Sequence, residues 1–300
     1  MQKQKDPELI SVLTQIYEDK GIDFTQYKDK TLLRRLDSRC KRLGFSSYNE
    51  YKAFLKDNPE EYVPLLDSLF INVTEFFRNK ESFDFIDNTI VPKIIENKKD
   101  KKHRVIRVWS CACSTGDEPY SLAMLLLEKL GKETDKFTIV VYGTDIDEGA
   151  LKDAGEGLYE KDRLKAVPEK LMKKYFEQKT DILFQLKKEV VNLVMFRHHD
   201  VINDKPIKHC DLILCRNLLI YFNKQLQEET LLKFHQSLND SGYLILGMVE
   251  SLVGAASTHF ETADNRLRVY KCLKSKKIDL ETGNLMDQAE IDRLIKELLN

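Results

Sequence analysis

One passage limits the possible fold more than any other. Arg104-Val105-Ile106-Arg107 carries β-branched residues suited to a strand, and Val108-Trp109-Ser110-Cys111-Ala112-Cys113-Ser114-Thr115-Gly116-Asp117-Glu118-Pro119-Tyr120-Ser121 follows it. Then comes an apolar helical run through Leu125, Leu126 and Leu127 to Leu130, with Gly131 as a stop signal. This predicts strand, loop, helix. In an open α/β sheet, a loop of small residues at that junction is where a nucleotide-like ligand sits, because bulky side chains would keep it from the backbone. Ser110, Ala112, Ser114, Thr115 and Gly116 keep the loop thin. It has a single glycine where a dinucleotide fingerprint needs three, and no Gly-Lys-Ser/Thr to cradle a phosphate. Asp117 and Glu118 instead stand where the helix begins, which repels phosphate and favours a cationic group. S-adenosylmethionine, with its sulfonium and ammonium, has that character.

The rest of the chain reads in the same way. Phe137 to Tyr142 is a second strand, and Asp145 near its tip can accept hydrogen bonds from both hydroxyls of a ribose. Asp147 suits the N-cap of a helix over Glu148 to Ala154. Cys210 to Cys215 is apolar throughout, like a buried central strand, and Arg216-Asn217-Leu218-Leu219-Ile220-Tyr221 leaves it towards the ligand crevice. Tyr243 to Gly247 and a closing edge strand over Leu267 to Leu273 complete the sheet, with helices at Pro168 to Phe176 and Lys224 to Leu238. Asp181 to Leu186 and Val190 to Phe196 read as a hairpin-like pair around Lys187-Lys188-Glu189. His198 and His199 are expected to be surface or packing residues.

Residues 1–95 read as helical: Glu8 to Lys20, Asp29 to Leu43, Tyr48 to Lys56, Pro59 to Leu69 and Lys80 to Ile95. On the second of these, Arg34, Arg35, Arg39 and Arg42 crowd one side beside an apolar stripe of Leu32, Leu36, Cys40 and Leu43. Such a basic face is either a docking surface for something acidic or an ordinary solvated face. The domains expected are therefore 1–95, helical with a linker helix; 96–273, an α/β ligand-binding domain with a small β-subdomain at about 178–197; and 274–300, a tail with an amphipathic helix over Ala289 to Leu299.

Bulk properties exclude several classes. A net charge of −1 gives no general attraction to nucleic acid or lipid, so any electrostatic partner site is local. Six scattered cysteines without a C-x-x-C or paired histidines at helical spacing argue against a zinc site, and no metal is expected. The absence of an apolar leader or spanning run fits a cytoplasmic protein with free thiols and no membrane insertion.

Three separated motifs, in order, resemble the CheR family, the bacterial chemotaxis receptor glutamate methyltransferases: Asn72-x-Thr74-x-Phe76-Phe77-Arg78, Cys111-Ala112-Cys113-Ser114-Thr115-Gly116-Asp117-Glu118-Pro119-Tyr120-Ser121, and Arg216-Asn217-x-x-Ile220-Tyr221. Met248 stands where the family more often has histidine. The resemblance implies a Rossmann-like S-adenosylmethionine-dependent methyltransferase. It assigns Asn72, Thr74, Arg78, Ala112, Glu118, Asp145, Asp200, Val201, Arg216 and Asn217 to the methyl donor, with Asp200 and Val201 near the adenine. Arg78 and Tyr221 fall at the reaction centre. The implied reaction forms glutamate methyl esters on membrane chemoreceptors and leaves S-adenosylhomocysteine, with the basic helix docking the receptor and a monomer as the working unit. Some relatives also grip a receptor C-terminal peptide with the β-subdomain. An RNA substrate is disfavoured, because the basic helix lacks interleaved aromatics and the pI is near 6.6.

Overall fold

The computed structural model describes residues 6–27, 29–70, 72–273, 277–278 and 285–286. The helix expected over Ala289 to Leu299 lies outside the described residues. The chain starts with four helices, α1 (Pro7–Lys20), α2 (Asp29–Leu43), α3 (Tyr48–Asp57) and α4 (Tyr62–Leu69). Local signals fix their ends. Asp6 accepts from Glu8 N at the start of α1, Gly21 closes it in the left-handed region at φ 73°, and Ser47 with Glu50 forms a reciprocal capping box on α3. Leu9, Val12, Leu13, Ile16, Leu32, Leu36, Tyr51, Leu55 and Leu65 bury the apolar sides of these helices in a core of their own.

The expected helix from Lys80 to Ile95 is present in three parts: α5 (Lys80–Phe85), a π-helical turn (Ile86–Ile90) and α6 (Val91–Lys98). Pro92 accounts for the irregularity, since it has no N–H to offer the preceding turn and its ring crowds the carbonyl there.

Strands β1 (Val105–Cys111), β2 (Thr138–Asp145), β6 (Val194–His198), β7 (Cys210–Cys215), β8 (Leu238–Leu246), β9 (Phe260–Asp264) and β10 (Val269–Cys272) form one twisted sheet in the order β6-β2-β1-β7-β8-β10-β9. The first five pair in parallel; β10 runs antiparallel to β8 and to β9. Helix α7 (Asp117–Leu130) follows β1, α8 (Glu148–Glu156) follows β2 and α11 (Lys224–Ser237) precedes β8. Separate apolar cores form around Val108, Val141, Met124 and Ile245 and around Trp109, Ile213, Phe234 and Leu244. Successive strand residues feed opposite cores, as the period of two requires. The strand order reverses between β1 and β7, so a crevice opens at their C-terminal ends, the usual ligand site of such sheets.

Two expectations are corrected. Residues 190–196 do not form a hairpin with 181–186. Helix α10 (Lys188–Val191) intervenes, and β6 joins the large sheet beside β2, with Val141 opposite Val194 and Asp145 opposite His198. The Phe196 ring fills the space over Gly143, where an added Cβ would lie 2.6 Å from it. The small β-subdomain therefore consists of β3 (Leu158–Glu160), β4 (Phe176–Gln178) and β5 (Leu183–Leu186), in the antiparallel order β3-β5-β4, with α9 (Glu169–Tyr175) between β3 and β4. The edge strand is also different: β10 lies inside the sheet, where Val269, Tyr270 and Cys272 are buried, and the polar β9 takes the edge. Lys277–Ile278 (β11) and Leu285–Met286 (β12) pair antiparallel as a separate two-stranded ribbon.

Candidate active site

Every residue expected to meet the methyl donor, together with Tyr221, lines a single pocket at the C-terminal ends of β1, β2 and β7. The turn after β1 is tight and strained: Ala112 and Ser114 sit at φ 58° and 50°, left-handed values that side chains with a Cβ adopt at a cost of order 1–3 kcal/mol each. Backbone bonds hold the turn against β2. Cys113 N donates to Thr144 O (2.9 Å) and Ser114 N donates to the Asp145 carboxylate (2.7 Å). The buried Ser114 hydroxyl has no partner, a polar atom left for a ligand. Gly116 is needed for a reason other than ligand approach. At φ 85°, its missing Cβ would lie 2.9 Å from both Ala154 and Phe196, so the turn is packed from behind.

The two acids at the start of α7 separate. Glu118 faces the pocket, accepting from Ser110 Oγ (2.7 Å) and from Arg216 Nη1 (3.1 Å). Asp117 does not help present negative charge to a ligand, contrary to expectation. It is fully buried on the far side and paired with Arg163 Nη2 at 2.6 Å, while Arg163 also donates to Thr115 Oγ1 (2.6 Å) and Tyr159 OH to Thr115 O (2.7 Å). Burial raises the Asp117 carboxyl, and the Arg163 charge opposes that rise. The first turn of a helix exposes only part of its circumference to one site, so two consecutive acids cannot both face it.

Asp145, the last residue of β2, is nearly buried. One carboxylate oxygen accepts from Ser114 N and the other from Asp147 N (3.0 Å), which leaves lone pairs on both for a ligand hydroxyl. Burial pushes its carboxyl above the ordinary aspartate value despite those backbone donors. Asp147 caps α8 as expected, accepting from Ala150 N (3.0 Å), and also receives Asn72 Nδ2 (2.6 Å). Asp200 folds its own loop, accepting from Ile202 N and Asn203 Nδ2 at 2.8 Å each, and Val201 lies beside it, buried.

The lining also brings in arginines. Arg78 turns its guanidinium back to Val73 O (2.9 Å), and Tyr221 stands near enough to Arg78 and Arg35 for both to lower its pKa. Burial outweighs them, so the phenol stays above its ordinary value and neutral. Arg216 lines the pocket but gives its donors to the protein: Glu118, Arg78 O (2.8 Å) and Asn79 Oδ1. It ties β7's exit to the 72–79 segment. Phe76 and Phe77 are core residues, edge-on to Tyr159 and Phe83 respectively.

The basic helix divides its arginines. Arg34 and Arg42 are exposed. Arg39 is corrected: it is 8 % exposed and forms a bidentate pair with Glu61, 2.6 Å at each nitrogen, shared with Tyr51 OH (2.8 Å). It holds α2 to the turn that leads into α4 and cannot meet a partner. Arg35 reaches the pocket wall, anchored to Ser68 O (3.0 Å), with its Nε buried and unpartnered.

Sequence reasoning missed several contributors. Glu250, 4 % exposed, accepts from Asn217 N (2.9 Å), Gly247 N (2.6 Å) and Ile220 N (3.2 Å), and so pins the loop that carries Asn217 at φ 63° and Tyr221. Its glutamate next to a glycine-ended strand was the available signal. Phe24, Tyr27 and Phe70 come to the pocket from the helical part, and His199 from the loop after β6, which nothing in their local pattern announces. Among the described residues, no cluster of three or more His, Cys, Asp or Glu side chains has metal-holding geometry, and no helix is long and apolar enough to cross a membrane.

Comparison with known proteins agrees with this geometry. Residues 7–70 match the CheR methyltransferase all-alpha domain and residues 72–269 the CheR methyltransferase SAM binding domain. A chemotaxis protein methyltransferase of Borreliella burgdorferi is 35% identical over 251 residues, covering 82% of this chain and 89% of that protein. One from Listeria innocua is 32% identical, covering 83% and 92%, and one from Salmonella typhimurium is 31% identical, covering 79% and 81%. With both of its domains matched in order over most of its length, the chain belongs to the CheR methyltransferase family.

Proposed function

We propose that the protein transfers the methyl group of S-adenosylmethionine to glutamate side chains on the cytoplasmic helices of membrane chemoreceptors, giving methyl esters and S-adenosylhomocysteine. The observation that supports this reading is one pocket lined both by acids, Asp145 and Asp200 near Tyr27, and by arginines, Arg35 and Arg78 near Tyr221. The donor suits the acids. Asp145 has free lone pairs for ribose hydroxyls, the orphaned Ser114 hydroxyl awaits a partner, and Glu118 offers negative charge.

S-adenosylmethionine supplies, when bound, a methyl group on a sulfonium that any well-aimed nucleophile can take. The acceptor needs no base. A glutamate ionises near pH ~4.3, so it arrives at neutral pH as the nucleophile itself. What this chain's residues must do is align it and remove water, because attack of an anion on a cation is favoured once both are desolvated. Arg78 and Arg35 suit a carboxylate in geometry and charge. Bound too tightly, the acceptor would gain nothing in rate, so their role is orientation. Tyr221 remains a neutral donor that borders the reacting centre. Arg34 and Arg42, with Lys41 between them in sequence, remain as exposed cations of α2 for the acidic receptor helix.

The test is transfer of labelled methyl to receptor-containing membranes, followed by mild alkali. Label released as methanol supports the reading, since carboxyl esters hydrolyse there. Label that survives alkali would assign an N-methylated product, and absence of transfer despite donor binding would favour a donor-sensing protein.

A further inference from the structure

A second cavity lies on the side of the sheet away from α7, over β1, β2 and β6. Arg107, Arg197, His198, Lys205, Lys208 and His209 line it, and no acidic residue does. For a chain of net charge −1, the four permanent cations Arg107, Arg197, Lys205 and Lys208 in one recess are a strong local concentration of positive charge. Among the described residues, none of Arg107, Arg197, Lys205 and Lys208 forms an ion pair with a carboxylate. Asp211 lies next to the cavity but directs its carboxylate to Arg107 N (3.0 Å), Lys98 Nζ (2.7 Å) and Asn239 Nδ2 (2.7 Å). Lys208 reaches only a carbonyl, Gln236 O at 3.3 Å, and Arg197 lies over the Tyr142 ring, 5.4 Å from its centroid.

Gathering like charges in a recess is unfavourable unless an anion joins them, and a concave wall strengthens their summed field. Two guanidinium groups at the recess match the geometry of phosphate oxygens. The recess is concave and built from three strands and one loop, which suits a small ligand better than an extended acidic helix. We propose that this cavity is a binding site for a phosphate-bearing small molecule with at least two negative charges. The segment over residues 199–209 joins the two cavities: Lys205 to His209 line this one, and its first residues, His199, Asp200 and Val201, line the methyl-donor pocket. His199 lines both cavities, donates its backbone N–H to Asp145 O (2.9 Å) and contacts Lys205 O through its ring (3.1 Å).

Calorimetric titration of the full chain with inorganic pyrophosphate, in phosphate-free buffer, tests the site. One equivalent should bind, and a combined Arg107→Gln, Arg197→Gln, Lys208→Gln variant should lose about tenfold or more in affinity, while Arg78→Ala retains it. If the triple variant melts early, the exposed pair Lys205→Gln and Lys208→Gln should still weaken binding. Undiminished binding in both variants, loss of binding in Arg78→Ala instead, or no binding at millimolar pyrophosphate would each overturn the proposal. So would capture by anionic lipid vesicles without any response to pyrophosphate, which would make the patch a membrane contact.

Discussion

Arg78 and Asp145 line one pocket, and the different roles proposed for their charges make separable predictions. Arg78→Ala should cut methyl transfer by about 100-fold or more, because alignment of the acceptor is what its loss removes, while S-adenosylhomocysteine affinity changes little. Parallel rate and calorimetric measurements check this, and a matching loss of product affinity would move Arg78 to the donor's side. Asp145 gives a pH dependence. Burial raises its carboxyl above the ordinary aspartate value near ~3.9, and the bound donor needs the anion. Donor affinity should therefore fall on acidification with a midpoint above that value, and Asp145→Asn should flatten the curve. The sign for folding is opposite: a raised carboxyl pKa favours the protonated fold, so that contribution is lost as pH rises through it. Glu250→Gln keeps the shape but replaces one acceptor oxygen with a donor. With Asn217 and Ile220 less firmly held, kcat should fall about tenfold while donor KM moves less; equal loss of both would reduce Glu250 to general support. These residues were legible or not for a physical reason. Asp145 and Asn217 sit where strands end and Glu118 where a helix begins, which a linear pattern shows; Glu250 acts on a loop 30 residues away, which it does not.

At the scale of elements, helix α2 shows how far a pattern can be trusted. The sequence groups its arginines on one side, and at 100° per residue Arg35, Arg39 and Arg42 do stay within about 60° of one another, yet their places along the axis give them different neighbours: Arg35 meets the pocket, Arg39 meets Glu61, and Arg42, like Arg34, meets solvent. Reversing charge at Arg34 and Arg42 should lower receptor methylation, most at low salt, and leave product affinity unchanged. Arg39→Ala should instead destabilise the protein by about 3 kcal/mol, because it strands a buried carboxylate; a thermal melt distinguishes the two. Burial and the hydrogen bonds from Arg39 and Tyr51 pull the Glu61 carboxyl in opposite directions, and the bonds win, leaving it below the ordinary glutamate value. That stabilisation is present above the unfolded pKa and disappears as pH falls through the folded one. Strand–loop–helix order was readable because β-branched and helical periods alternate cleanly. The pairing of β6 and the inner position of β10 were not, since both depend on which partner covers a short apolar run after the chain has already turned. A hairpin and a crossover can share the same period-two pattern.

In the whole molecule, the pocket belongs to neither domain alone. Helical residues Phe24, Tyr27, Leu32 and Phe70 form its cover over the strand ends. The joint is specific: Tyr27 makes an isolated antiparallel bridge to Phe222, just past the Arg216–Tyr221 loop, and their rings meet edge-on at 5.2 Å. Tyr27 stacks in the same way on Phe24, so one aromatic column joins the helical core to the sheet. Burial, and then the charges of Asp200 and Asp145, raise its phenol well above the usual value, which places Tyr27 beside the two acids proposed to hold the donor. A ligand bound at this seam stabilises only the docked arrangement, by about 2.7 kcal/mol at a hundredfold excess over Kd. Calorimetric melting should thus show one transition that S-adenosylhomocysteine moves upward as a unit. In Tyr27→Ala, the column is broken and one wall of the pocket is lost. The ligand-induced shift should shrink, and the helical domain should melt separately at lower temperature. If Tyr27→Ala instead keeps one transition with the full shift, the cover is incidental packing and the strand ends hold the donor without it.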